Sequence, residues 1–395
     1  MGLKTFWVKA KLKSDLMRCF RDGKIVKTVK RGDQNVDFFP QIHDVFVDEE
    51  KKAVRFVFTL KSGMDPELLT KREWVFRQVF GENIELSGKT KKFTLWVYSK
   101  GMPDNVKYVF EDIQPHLEEL FMPLVIGYDR RNNLICLDLK EIHHAILTGS
   151  TGSGKSSLFR AILVSIMLYK SPQDVQFLLI DMKNSEFGIY RGGAHVKEVL
   201  MDQESVLKAL QQVEAEMHRR SKLLDSEDVE HVADLEKKLP VIMVVIDEII
   251  ALVDNKKIMK ILTNLSCLGR SAGVHIIGAM QSGRAKDVGG QFLNNMNCRI
   301  SGKQSDATNA KVAGFTTAKN ISTPGRMVLS LDGVETHVQV PFMDKQRAKK
   351  LLQPFKGKVI QDPNSDIQVS QSCMLEEIKE HIINEFTLEG MEEDE

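Results

Sequence analysis

Gly149, Ser150, Thr151, Gly152, Ser153, Gly154, Lys155 and Ser156 occur in one uninterrupted run that fits the pattern GxxxxGK[ST], with Ser157 directly after it. Glycines at such spacing let a backbone curl with its N–H groups pointing inward, which is what a bound phosphate needs. In that arrangement Lys155 reaches the β- and γ-phosphates of a nucleoside triphosphate, and the Ser156 hydroxyl ligates Mg²⁺. A second signal lies downstream. Asp247 and Glu248 close the apolar run Pro240–Ile246. Asp247 is placed to hold Mg²⁺ through its water shell, and Glu248 to act as a general base toward the attacking water. Further on, Gln281 ends the run VHIIGAM, where its amide could sense the γ-phosphate or orient water. Arg270, in GRSAG just before that run, could reach a neighbouring subunit's nucleotide and stabilise charge in the transition state. Arg219 and Arg220 read as the solvated face of their helix.

These residues need elements to hold them. HAILTG, VQFLLID, VIMVVIDE, VHIIGAMQ and GRMVLSL are short continuous apolar runs, separated by helical patterns such as KSSLFRAILVSIMLY and ESVLKALQQVEAEMHRRSKLL. Apolar strands alternating with helices predict an α/β fold with a mostly parallel sheet covered on both faces. Ligands then bind beyond the carboxyl ends of the strands, which is where both signals fall. Upstream, HDVFVD and AVRFVFTL alternate like a hairpin, PELLTKREWVFRQVFG has helical spacing, and IELSG and KKFTLWVYSK add strands. The expected organisation is a basic segment at 1–40 with short strand-like runs (TFWVKAKL, KIVKTVK) and a small α+β domain at 41–115. A large α/β domain at 116–355, entered through GMPDNVKYVFEDIQPHLEEL, and an acidic tail at 356–395 complete it.

Composition narrows the class. Of 395 residues, 42% are hydrophobic and 28% charged, and the net charge is +1, so nothing global announces nucleic acid or membrane. The charge is uneven: residues 1–40 hold ten Lys/Arg against four Asp/Glu, and residues 356–395 hold three against eleven. Charged ends are commonly solvated, but here they also suit a DNA-touching arm and a tail that docks a protein partner. The five cysteines, Cys19, Cys136, Cys267, Cys298 and Cys373, are scattered without CxxC spacing, which argues for free thiols rather than a disulfide frame or zinc site. The N-terminus has no signal-peptide pattern, and no apolar stretch reaches the roughly 18 residues of a membrane span. The expected location is cytoplasmic, with membrane recruitment left to a partner.

Taken together the motifs resemble the FtsK/SpoIIIE branch of the FtsK–HerA P-loop motor family. GSTGSGKS is similar to that family's G-[TS]-TGSGKS, and FLLIDMKNSEF to its LIDPK strand. VEAEMHRRSKLL is similar to its MERR-type helix, KLPVIMVVIDEIIALV to its KLPYIVVVIDE strand, and LGRSAGVHIIGAMQS to its LGRAAGIHLIxATQ. CRISGKQSDATNAKVAG and PGRMVLSLDG resemble the strands that end the motor core. The resemblance covers about residues 41–355. It implies a RecA-like motor domain binding ATP and Mg²⁺, self-association into a ring, usually a hexamer, and double-stranded DNA in a central pore. Lys155, Ser156, Asp247, Glu248 and Gln281 carry over by position. Arg270 matches a trans-acting arginine of related coupling proteins, and Arg284 and Lys286 fall on an implied DNA-contacting pore loop.

Departures are also visible. Met182 stands where the family has Pro, and Met280 where it has Thr. A membrane-spanning N-terminal region and a sequence-reading winged helix are not expected. A small member of this kind suits conjugative transfer or maintenance of a mobile element. The alternative is a secretion-type motor acting on protein cargo, since fold alone does not choose a cargo.

Overall fold

The computed structural model describes residues 3–31, 34–48, 52–281, 288–305, 310, 313–315, 317–318 and 321–356. They form two compact units, Met1–Pro103 with Arg130–Asn132, and Asp104–Asp129 with Asn133–Glu395.

The first unit carries a hairpin of β1 (Lys27–Arg31) and β2 (Gln34–Phe38). It also carries an antiparallel sheet of β3 (Gln41–Asp48), β4 (Ala53–Thr59), β5 (Ile84–Gly88) and β6 (Lys92–Tyr98), in the order β3-β4-β6-β5. The expected alternation holds: Phe56, Phe58, Phe93 and Leu95 point to one buried face. Helices Leu3–Asp22, Glu67–Lys71 and Glu73–Phe80 contribute Leu16, Phe20, Leu69 and Phe76 to the same core, with Phe20 edge-on to Phe58 at 5.1 Å. The strand reading of TFWVKAKL is therefore corrected to helix. Its period-2 appearance is local, whereas Leu12, Leu16, Cys19 and Phe20 recur at helical spacing and are the side chains that pack.

In the second unit a ten-stranded sheet runs β11-β10-β12-β13-β9-β14-β15-β16-β7-β8 among the described residues. Its strands in chain order are β7 (Pro123–Tyr128), β8 (Leu134–Asp138), β9 (Ala145–Thr148), β10 (Val175–Ile180) and β11 (Val196–Leu200). After them come β12 (Val241–Ile246), β13 (Val274–Met280), β14 (Cys298–Ser301), β15 (Arg326–Leu331) and β16 (Val334–Gln339). The strands from β11 to β14 pair in parallel. GRMVLSL, expected within the parallel set, instead runs antiparallel to β14 and opens a four-strand antiparallel extension.

Side chains of the parallel strands alternate between two cores. Leu147, Leu179, Met243 and Ile277 face one, Ile146, Leu178, Val244 and Ile276 the other. Helix Lys155–Tyr169 is apolar over most of its surface and is buried in the first core from Ala161 to Leu168, while Lys155, Ser156 and Arg160 at its start face the cleft. Helices Gln203–Glu227 and Lys256–Leu268 cover the second face with amphipathic stripes. Half of the expected linker also belongs to this unit's interior, since Tyr108, Phe110, Ile113 and Leu117 are buried in the first core. Arg220 departs from the solvated-face reading. It is buried, paired with Glu216 at 2.8 Å, and donates to Ala272 O at 2.9 Å, stapling its helix to the turn before β13. Among the described residues no helix is long and apolar enough to cross a membrane.

Candidate nucleotide-binding site

Strand register sets the site. Thr148 pairs with Met280, Ile246 with Gly278, and Ile180 with Ile246, so β9, β13, β12 and β10 end along one edge of the sheet. The glycine loop follows β9, Gln281 follows β13, Asp247 and Glu248 follow β12, and Asp181 follows β10. β13 separates the β9 loop from the acid pair, a gap of about 10 Å at ordinary strand spacing. A triphosphate chain spans such a gap. The structure brings Lys155, Ser156, Asp247, Glu248 and Gln281 together in one cleft of about 730 Å³, along with Lys183, Glu186, Arg160, Gln339 and Phe342.

The loop can exist only with glycine at key points. Gly154 has φ +103°, and a Cβ there would stand 2.9 Å from Gly325 Cα. Gly149 has φ +138°, and its Cβ would stand 2.8 Å from Ser153 Oγ. Either substitution strains the backbone and fills the cradle. Ser150 N donates to Lys303 O at 2.8 Å, and Gly325 N to Ser153 O at 3.3 Å, so the segments after β14 and before β15 fix the loop's shape. Lys155 lies over the loop, its ammonium donating to Gly149 O and, at 3.2 Å, to Ser150 O. Thr151 and Gly152 form the exposed tip, and Ser157 turns away from the cleft mouth to donate to Pro341 O at 3.0 Å.

Burial pulls the Lys155 ammonium down to about 8, against the opposing pull of Glu248. A bound polyphosphate favours the charged form and raises it again. Nucleotide binding above pH 8 is therefore expected to take up a proton at Lys155, and affinity to fall as pH rises further. Titration calorimetry in two buffers of different ionisation enthalpy reads the uptake directly. Equal heats in both buffers would refute it.

The acid side is built from two strands. Glu248 is 6% exposed. Its Oε1 accepts the Gln281 backbone N–H at 3.1 Å and its Oε2 pairs with Lys183 Nζ at 2.7 Å. Asp247 Oδ1 accepts from Met182 N at 3.1 Å. Burial and then the neighbouring Asp181 carboxyl push Asp247 above its usual range. Asp181, fully buried, accepts the N–H groups of Ser185, Glu186 and Phe187 and so shapes the loop after β10. Asp181, Lys183 and Glu186 were given no role by sequence reasoning. The signal was present in the DMKNSE run that ends β10, one strand away from Asp247.

The donor set suits Mg²⁺: a hydroxyl from Ser156 and carboxylates from Asp247 and Glu186, all hard oxygens. Among the described residues no three His, Cys, Asp or Glu side chains converge into a metal cage. A cation that keeps water and binds through the substrate's phosphates does not require one.

Arg270 is not in this cleft. It is exposed and precedes β13, so it sits at the opposite end of that strand from Gln281. It is not among the residues that line this chain's own cleft. Arg284, Lys286 and the tail from residue 357 lie outside the described residues.

Comparison with known proteins agrees with this geometry. The sequence model of the FtsK/SpoIIIE family matches residues 106–238, which span the glycine loop and the strand carrying Asp181. A DNA translocase FtsK of Staphylococcus epidermidis is 28% identical over 296 residues, covering 69% of this chain and 37% of the relative. One from Helicobacter pylori is 28% identical over 268 residues, covering 64% and 32%. The chain thus spans about a third of the length of these relatives. Among solved structures, the pCW3 conjugation coupling protein TcpA, in a monomer form with ATPγS, is similar at TM-score 0.59 and 22% identity, covering 86% of this chain and 98% of that one. EssC (ATPases 2 and 3) from Geobacillus thermodenitrificans is similar at TM-score 0.58 and 18% identity, covering 71% and 52%. At those identities the likeness is one of fold. The glycine loop lies inside the stretch 106–238 that is similar to the FtsK/SpoIIIE family.

Proposed function

We propose that this chain is an ATP-driven motor that moves double-stranded DNA through a ring of its own copies, a hexamer by the resemblance, in conjugative transfer or maintenance of a mobile element. The observation that carries the reading is the cleft itself. Lys155 and Ser156 stand on one side of β13, and Glu248, held by Lys183 and the Gln281 N–H, stands on the other. In this reading the loop amides of residues 149–154 and Lys155 bind the phosphates. Ser156 holds Mg²⁺, with Asp247 acting through its water, and the ion supplies charge neutralisation of the phosphates. Glu248 takes the proton of the attacking water. Its two hydrogen-bond partners leave it aimed rather than free to rotate. Gln281 orients that water, and Arg270 serves a neighbouring chain's nucleotide. Arg284 and Lys286 contact DNA phosphates.

The curated FtsK relatives and the coupling-protein neighbour support DNA as the cargo. The cytoplasmic domain of a Type VII secretion ATPase, EccC of Thermomonospora curvata, shares the fold, which keeps protein cargo as the alternative. The test is the ATPase rate with and without duplex DNA, together with mass measurement in the presence of nucleotide. Duplex DNA is expected to raise the rate at least several-fold, with binding that weakens steeply in salt. A rate indifferent to duplexes of every length, but raised by a protein partner, would replace DNA by protein as the cargo.

A further inference from the structure

The Ser156 hydroxyl has a single hydrogen, and the structure shows where it goes. Ser156 Oγ donates to Glu186 Oε1 at 2.6 Å. The other carboxylate oxygen accepts from Arg160 Nη1 at 3.1 Å, and Arg160 Nε donates in turn to Met343 O at 2.8 Å. Glu186 rides on the loop whose N–H groups are gathered by buried Asp181, so its backbone and its carboxylate are both held. A hydroxyl that gives its hydrogen to Glu186 keeps its lone pairs for another partner.

We propose that Glu186 is a positioning residue for the metal end of this site: it turns the Ser156 lone pairs toward the cation and sets a negative charge beside it. The proposal rests on the nucleotide-binding reading. It also assigns a consequence to the cleft's charge. Asp104 is paired with Arg326 at 2.9 Å and Glu248 with Lys183 at 2.7 Å, while the Glu186 carboxylate lies against the Ser156 hydroxyl at the metal end. Metal-free ATP meets the Glu186 carboxylate directly, whereas the magnesium complex sets a cation against it. Glu186 thereby makes binding selective for the metal complex.

The experiment measures affinity for ATPγS in Mg²⁺ and in EDTA, by calorimetry, for the full chain and for Glu186→Gln, Ser156→Ala and the double variant. Glutamine keeps the shape and an acceptor oxygen but removes the charge. The ratio of the two affinities is expected to fall by about tenfold in Glu186→Gln, because removal of one nearby charge weakens the metal complex and favours the bare nucleotide. In the Ser156→Ala background the same change is expected to add little, since residues acting through one another are not additive. Glu186→Asp, which keeps the charge but draws the carboxylate back by one methylene, is expected to lie between, and carries the test if the glutamine variant does not fold. An unchanged ratio in both Glu186 variants would overturn the proposal, as would effects at 156 and 186 that simply multiply. Failure of the unmodified chain to bind ATPγS in either condition would remove the nucleotide reading itself.

Discussion

Glu248→Gln is expected to leave ATP bound and unhydrolysed. Glutamine matches the shape of the side chain and can still accept the Gln281 N–H, but it cannot take a proton from water and cannot form the 2.7 Å ion pair with Lys183. Loss of a positioned general base costs about 10²- to 10⁴-fold in rate. Single-turnover hydrolysis is expected to fall by that amount, while affinity for MgATP changes little because Glu248 is not a phosphate ligand in this reading. Lys183→Met separates the two contributions. It leaves the base in place but frees one carboxylate oxygen, so a smaller loss is expected. A Glu248→Gln enzyme that turns over within a few-fold of the parent would take Glu248 out of the chemistry.

Lys155→Met is expected to act at the earlier step. The Lys155 ammonium is desolvated in the cleft and leans on the carbonyls of Gly149 and Ser150. Replacing it removes the cation that in the proposed reading meets the phosphates, and truncation of one member of a buried charge pair typically costs about 2–5 kcal/mol. Affinity for ATP is expected to drop about thirtyfold or more by that measure, with hydrolysis abolished. Folding responds differently. A lysine whose pKa is lowered by burial favours the unfolded chain below its unfolded value, so methionine is expected to preserve or raise the melting temperature. A stable variant that binds ATP as tightly as the parent would contradict the role assigned to Lys155. A variant that unfolds would contradict the account of its burial.

Much of the site was legible before any coordinates. The GSTGSGKS run combines left-handed glycines, a lysine and a hydroxyl within eight positions, and the phosphate-binding pattern it fits depends only on strand and helix flanking it. Asp247 and Glu248 were legible because a six-residue apolar strand ending in two acids leaves them at a sheet edge. The parallel half of the sheet was legible from unbroken apolar runs. Less visible was anything that depended on which strands are neighbours. That β13 lies between the loop and the acid pair, and that Lys183 and Glu186 from the β10 side reach Glu248 and Ser156, follows from strand order across 30 to 65 residues of separation.

Sequence alone marked the glycine loop, the acid pair and the α/β class, because each rests on residues close along the chain whose backbone and side-chain preferences act together. Tertiary structure decided the rest. The N-terminal segment became a helix because Leu16, Cys19 and Phe20 find a sheet to pack against, which outweighs a short alternating pattern. Arg220 is buried because Ala272 O, brought in from the turn before β13, accepts from it, beside its pairing with Glu216 one helical turn away. The orientation of the Ser156 hydroxyl was set by a carboxylate thirty residues away. Burial and hydrogen-bond partnership are properties of neighbours in space, and those neighbours exist only once the strands have chosen their order.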